Sequence, residues 1–350
     1  MSMSTAGPAF RGGMLALLSA VLFGMSTPLI ARLSSGINPF LTAALLYAGA
    51  ALAGATMIRG RAREAGLRRT DAVPLAWITL SGAVVAPVAL AWGLQRCSTT
   101  SASLMLALEA LFTALLAHWL YREQIGLRAW VALLLLTAGA IALLFDAAQT
   151  GTSQTLGLIA VVVATMAWGT DDALSRAVAD RDPGQVILVK GAAGAATTGA
   201  MALAAGARLT DVGQIAGLLL VGVTGYGLSL KFYLLAQRTF GAARTGSVFA
   251  FVPFIGALGA VLMGEREAGA GLRVASVLMI VGVILHLTEK HQHRHEHGVL
   301  EHEHAHTHDD GHHLHKHDPP VQGSHSHMHR HEPMSHSHPH LPDAHHTHPH

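Results

Sequence analysis

Charge is scarce in this chain. Of its 350 residues 13% are charged and 51% are hydrophobic, whereas soluble domains carry nearer a quarter charged residues. That shortage excludes an ordinary water-soluble globule, the more so because the polar stretch 291–350 dilutes the average. Cysteine is nearly absent. A single Cys97 excludes an intrachain disulfide and leaves the redox compartment unread. The net charge of +2 rests on arginines scattered between apolar blocks, so no basic patch invites nucleic acid. No glycine-rich phosphate loop ending in lysine occurs, which removes ATP as the expected drive. No catalytic constellation appears either, so the chain reads as a non-enzyme that requires no cofactor. No small-residue cleavage site closes a short apolar region near the start, and the first block reads as a retained span rather than a signal peptide.

What is present is apolar blocks of about 20 residues, the hydrocarbon thickness of a bilayer. They predict ten transmembrane helices near 12–31, 39–58, 73–94, 99–120, 127–146, 155–178, 184–205, 212–236, 241–263 and 270–288. Arginine sets their direction. The even-numbered loops hold eleven, including Arg59, Arg61, Arg63, Arg68 and Arg69, against five in the odd-numbered loops. Even loops therefore belong in the cytoplasm, and both termini with them, in a bacterial-type inner membrane. Pro28, Pro87 and Pro253 fall inside spans, where each frees a backbone carbonyl and can kink its helix.

The chain repeats itself. A shift of 142 places Gln95-Arg96 on Gln237-Arg238, Phe112 on Phe254, Leu120 on Leu262 and Glu123 on Glu265. A shift of 145 places Phe23-Gly24 on Trp168-Gly169. Five spans per half is an odd number, so the second copy is expected upside down, as in many secondary transporters with a midplane site between halves. The predicted organisation is an N-terminus at 1–11, five-helix repeats at 12–146 and 155–288, and a tail at 291–350.

On these residues, together with Pro253 and the later Gly139 and Gly282, the chain resembles the EamA-like branch of the drug/metabolite transporter superfamily across 12–288. It departs from that pattern at Phe23, where tryptophan is usual, and at Leu111, where Pro253 would predict proline. The resemblance implies ten helices in two inverted halves, a central cavity and export of small metabolites. The tail lies outside it.

Ionisable groups within spans are costly unless paired or wetted, so each is a functional candidate. Asp171, Asp172, Lys190 and Lys231 balance in sign and depth, with Arg176 four residues after Asp172. They read as a charge network pinning three helices or as a gate and substrate site. Glu109, with no base at its expected depth, reads as a coupling acid or a neutral carboxyl bonded within the bundle. Trp168 joins them as a transport candidate. His118, beside Trp119 and Tyr121, reads as interfacial.

The tail holds 23 of the 25 histidines. Its repeated His-X-His pattern lets positions i and i+2 face one side of an extended strand and present two imidazoles to one ion. The expected ligands are His291, His293, His295, His297, His302, His304, His306, His308, His312, His313, His315 and His317, for zinc, nickel or cobalt. Lacking apolar periodicity, the tail is expected to be disordered without metal. The fold class is thus an all-α membrane protein with ten spans, two inverted repeats and a disordered histidine-rich tail. The expected function is export of a small metabolite, with a tail that binds metal and regulates. Two other readings stay open: a transporter of the metal itself, and a membrane-anchored metal store or sensor. The partners are the bilayer and a small-molecule or metal substrate, with room for a homodimer.

The arginine bias makes a topological prediction. In a Cys97→Ser background, Ser324→Cys should resist a membrane-impermeant maleimide in intact cells and react fully once the membrane is permeabilised. Labelling of intact cells would reverse the orientation.

Overall fold

The structure is a computed structural model. It describes residues 8–58, 65–121, 125–178, 181–208, 211–240, 242–266, 269–287, 292–297, 300–306, 325–331 and 334–339. Ten helical segments are long and apolar enough to cross a membrane: Phe10–Leu33, Pro39–Ile58, Arg69–Leu94, Thr99–Tyr121, Leu127–Thr150, Thr152–Ser175, Pro183–Ala204, Val212–Ala236, Arg244–Leu262 and Ala270–Leu287. We call them spans 1 to 10. Large apolar side chains such as Leu134, Phe145, Leu203, Leu220 and Val277 are exposed, the arrangement expected when lipid rather than water is the outer solvent.

Small residues set how the spans meet. Spans 2 and 7 lie backbone to backbone. A Cβ at Gly54 would fall 2.7 Å from Leu188 N, and one at Gly191 would fall 2.9 Å from Ala51 N. Gly222 of span 8 abuts the Leu46 carbonyl of span 2 in the same way. Such approach maximises dispersion contact where lipid supplies no hydrophobic drive. The major pairings form a pattern. Spans 1·8 and 3·6, 1·9 and 4·6, and 2·8 and 3·7 exchange with each other when every span is replaced by the one five later. Pairs 2·7, 4·9 and 5·10 map onto themselves. Single contacts follow suit. Gly24 of span 1 packs on Ile255 of span 9, and Gly169 of span 6 packs on Thr113 of span 4. Ile255 and Thr113 are themselves 142 apart.

Four spans are irregular, again in matched pairs. Spans 3 and 8 each contain a wide π-type stretch, Leu80–Val85 and Gly222–Leu228. Spans 4 and 9 are each broken, between Met105 and Leu108 and between Phe249 and Val252. Pro253 opens the second half of span 9. Span 4 breaks without proline, through three-residue bonds such as Ala107 N to Leu104 O at 3.0 Å. In the tail the described backbone is four extended stretches. Gln292–His297 pairs antiparallel with Met334–Pro339, and Leu300–His306 with His325–His331. Strict period-two alternation suits extended backbone, whereas two-stranded ribbons with polar faces are marginal in water by themselves.

Two of the four glycines of span 7 give a direct packing test. Gly191→Ala forces backbone apart and should cost about 1–3 kcal/mol. At Gly199 the nearest atom to an added methyl is Ala44 Cβ at 3.9 Å, so Gly199→Ala should be neutral or gain up to about 1 kcal/mol. Melting of the two variants in detergent, against the parent, checks the contrast.

Candidate functional site

The site grows from one unsatisfied carbonyl. At the end of the π-type stretch in span 3, Ala86 N–H bonds back to Ser81 O. The next bond in that series would reach the Gly82 carbonyl from residue 87, and Pro87 has no N–H. Side chains from other spans supply the missing donors. The Tyr47 hydroxyl of span 2 donates to Gly82 O, and Trp168 Nε1 of span 6 donates to it at 3.2 Å. Residue 82 also has to be glycine, because a Cβ there would overlap the Asp171 carboxylate.

Asp171 is buried and is ion-paired with Lys190 of span 7, which is nearly as enclosed. Ser175 Oγ lies 3.5 Å from its second oxygen. Asp172 turns elsewhere, since adjacent helical residues diverge by about 100°. Its carboxyl lies beside that of Glu109, in span 4, near enough for each to act electrostatically on the other. Glu109 stands in the first turn of Leu108–Tyr121, just past the break, at the partly positive end of a half-helix. It is half-buried and Asp172 is exposed, so the carboxyl pair borders open space rather than packed core.

Aromatic rings wall this cluster. Phe23 meets Trp168 edge-on at 6.3 Å and Tyr226 at 5.7 Å, and stacks on Phe249 at 5.6 Å. Tyr47 and Tyr226 lie 5.5 Å apart, and Tyr233 meets Phe249 at 4.9 Å. Phe23 and Trp168 are the positions that the 145-residue shift superposes. The Tyr226 hydroxyl is buried beside the Ser26 hydroxyl. Ser26 donates to Phe23 O at 2.6 Å.

Four charges expected to act together are thus divided. Asp171 and Lys190 pair, and Asp172 leaves them for Glu109. Lys190 acts electrostatically on all three acids, which supplies the base that the sequence did not place beside Glu109. Lys231, half-buried in span 8, is not among their electrostatic neighbours. The Arg176 side chain lies outside the described residues. His118 is exposed and edge-on to Trp130 at 6.4 Å. Sequence reasoning missed Tyr47, Tyr226 and Gly82. The available signal was that two of only four tyrosines fall mid-span.

Two polar clasps tie the ends of the bundle. The Glu265 carboxylate, beyond span 9, accepts from Thr99 N at 2.7 Å, Thr100 N at 2.9 Å and Thr100 Oγ1 at 2.9 Å, capping span 4. At the other end Arg181 grips Asp71 with two bonds of 2.7 and 3.1 Å. Glu123 lies outside the described residues. Among the described residues no three His, Cys, Asp or Glu side chains gather to hold a metal. Of the expected tail ligands, His293, His295, His297, His302, His304 and His306 lie on extended backbone, where His302 faces His329 and His304 faces His327 in register. His291, His308, His312, His313, His315 and His317 lie outside the described residues.

Comparison with known proteins matches the geometry. A solved crystal structure superposes with a TM-score of 0.56 over 78% of this chain and 96% of its own, at 18% identity, which speaks to the fold alone. An uncharacterized transporter of Methanothermobacter thermautotrophicus is 27% identical over 228 residues, 63% of this chain and 66% of that protein's length. The EamA-like transporter family model matches twice, at residues 10–145 and again at 155–288. With one family unit found in each half of an integral membrane bundle, the chain belongs to the EamA-like transporter family.

Proposed function

We propose that this protein is a secondary transporter that exports a small organic solute by alternating access of two inverted five-span halves. The carrying observation is the charged and aromatic cluster at the meeting of the halves, where Phe23 faces Trp168. The doubled family match, the exchange pattern of span pairings and the matched helix breaks support the two-fold relation. With five spans each, the halves run in opposite directions. Discontinuous helices at the midplane are how such proteins offer half-helix termini and free carbonyls to a solute. Arginine bias places both termini in the cytoplasm of an inner membrane. There the tail binds zinc, nickel or cobalt and raises their local concentration at the cytoplasmic mouth.

The tail also favours a second reading, in which the divalent metal is the cargo. The cluster speaks against it, because Lys190 stands among the acids a bare cation would need.

Cells carrying the intact protein, a 291–350 deletion or Glu109→Gln separate these readings. Solute export requires at least one small organic compound to accumulate in the medium with the intact protein and to fall about tenfold with Glu109→Gln, roughly the loss of one strong polar contact. Unchanged medium together with changed zinc, nickel or cobalt content would transfer the assignment to metal transport. The buried ion pair makes its own prediction. Lys190→Met strands the Asp171 charge and should cost about 3–5 kcal/mol of stability. Adding Asp171→Asn should restore most of that loss in a detergent melt.

A further inference from the structure

We propose that the groove between the ends of spans 2, 3, 6 and 7 is a binding site for one anionic phospholipid, whose headgroup phosphate sits on Arg96 and whose acyl chain lies along span 3.

Arg96 stands just past Leu94, where span 3 ends, and Trp92 lies one helical turn before it. Side chains four apart on a helix are neighbours. The guanidinium carbon accordingly lies 3.7 Å from the centroid of the Trp92 ring, and Nη1 donates to the Trp92 carbonyl at 2.9 Å. Ring and carbonyl together hold the side chain in one place. An arginine has five N–H donors. Among the described residues only that one hydrogen bond, and no ion pair, engages this one. The Glu265 carboxylate reaches Thr99 and Thr100 nearby, but its three bonds go to those residues. A full positive charge with spare donors is therefore left at the edge of the span, in the planar fork that suits a phosphate.

The indole beneath that charge also lines an open groove of about 330 Å³, with Phe40, Val84, Val88, Ala160 and Met201. Every lining side chain is apolar, and none belongs to the charged and aromatic cluster at the centre of the bundle. Phe40 lies at the start of span 2, Ala160 in the first half of span 6 and Met201 near the end of span 7. The groove therefore occupies one leaflet, the one in which span 3 ends at Arg96. From Val84 to Trp92 it runs about 12 Å along the helix. With each methylene given about the volume of a water molecule, ~30 Å³, it takes roughly ten. That is one acyl chain, aligned with span 3 and joined to a phosphate at the arginine. The 142-residue shift keeps arginine at position 238 but puts Leu234 where Trp92 stands, so the indole platform belongs to the first half alone. In the orientation proposed above, the lipid comes from the outer leaflet.

The test uses the full chain in nanodiscs of phosphatidylcholine. These are doped with a small, rising fraction of phosphatidylglycerol brominated on its acyl chains, or of brominated phosphatidylcholine as the matched control. Bromine quenches tryptophan fluorescence on contact. The brominated phosphatidylglycerol should quench at about fivefold lower mole fraction than the control, the scale of one basic residue acting on an anionic lipid. Trp92→Phe should remove that selective part of the quenching. Arg96→Gln should bring the two curves together, whereas Arg96→Lys keeps the charge and should retain part of the preference. Ala160→Leu fills the groove without touching the guanidinium, and should raise the fraction of either lipid needed to quench Trp92. Equal quenching of the parent protein by the two lipids overturns the proposal, whether or not the variants fold. A preference that survives Trp92→Phe or Arg96→Gln does the same, because ordinary boundary lipid would then account for it. So does a preference abolished by inorganic phosphate in the buffer, which would assign the arginine to a free anion.

Discussion

Asp171 and Lys190 meet where neither could stand alone. Each charge lies deep in an apolar bundle, and stranding either would cost several kcal/mol. Their pairing is possible because three spans converge on one point. Gly82 leaves room for the carboxylate, and the lysine reaches in from span 7. The same point anchors Tyr47 and Trp168 through the Gly82 carbonyl. One small residue thus joins spans 2, 3 and 6 by hydrogen bonds and leaves space for a link to span 7. The rest of the site takes its positions from that joint. Trp168 is fixed, so Phe23 and Tyr226 have a surface to pack on. Asp171 is fixed, so Asp172 must face span 4.

The irregular helices follow from the same economy of polar groups. A continuous α-helix satisfies its own backbone and offers nothing to a solute in the bilayer interior. Wide turns in spans 3 and 8 and breaks in spans 4 and 9 expose carbonyls and helix ends at mid-depth. In span 3 the freed Gly82 carbonyl takes replacement donors from spans 2 and 6, and in span 4 three-residue bonds close the break.

Much of this was legible in the sequence. Apolar length located ten spans to within a few residues, and positions related by the 145- and 142-residue shifts make matching contacts, Gly24 on Ile255 and Gly169 on Thr113. Pro87 and Pro253 marked two of the four irregularities. The break in span 4 gave no such sign, because three-residue bonds around Leu106 replace the proline found at the equivalent place in span 9. Charge depth was readable but charge direction was not. Asp171 and Asp172 are adjacent in sequence, yet the helical turn sends them to different neighbours, and linear depth alone does not separate them from Lys231. The tyrosines were invisible for another reason. An aromatic residue in an apolar span reads as packing until a partner for its hydroxyl, or the lack of one, is seen.

The two clasps extend the argument from site to movement. Glu265 holds span 9 to the start of span 4 through three bonds to one carboxylate, and Asp71 holds Arg181 through two. Both lie at bundle ends, where water can take over each bond as it breaks. A polar clasp in that position exchanges protein for solvent with little net cost, whereas parting the glycine-lined contact of spans 2 and 7 would forfeit dispersion over its whole length. The bundle is therefore stiff along spans 2 and 7 and releasable at its ends. In the transport reading, that contrast sets where rocking can occur. In that reading the close-packed pair would be the fulcrum and the clasps the contacts that part.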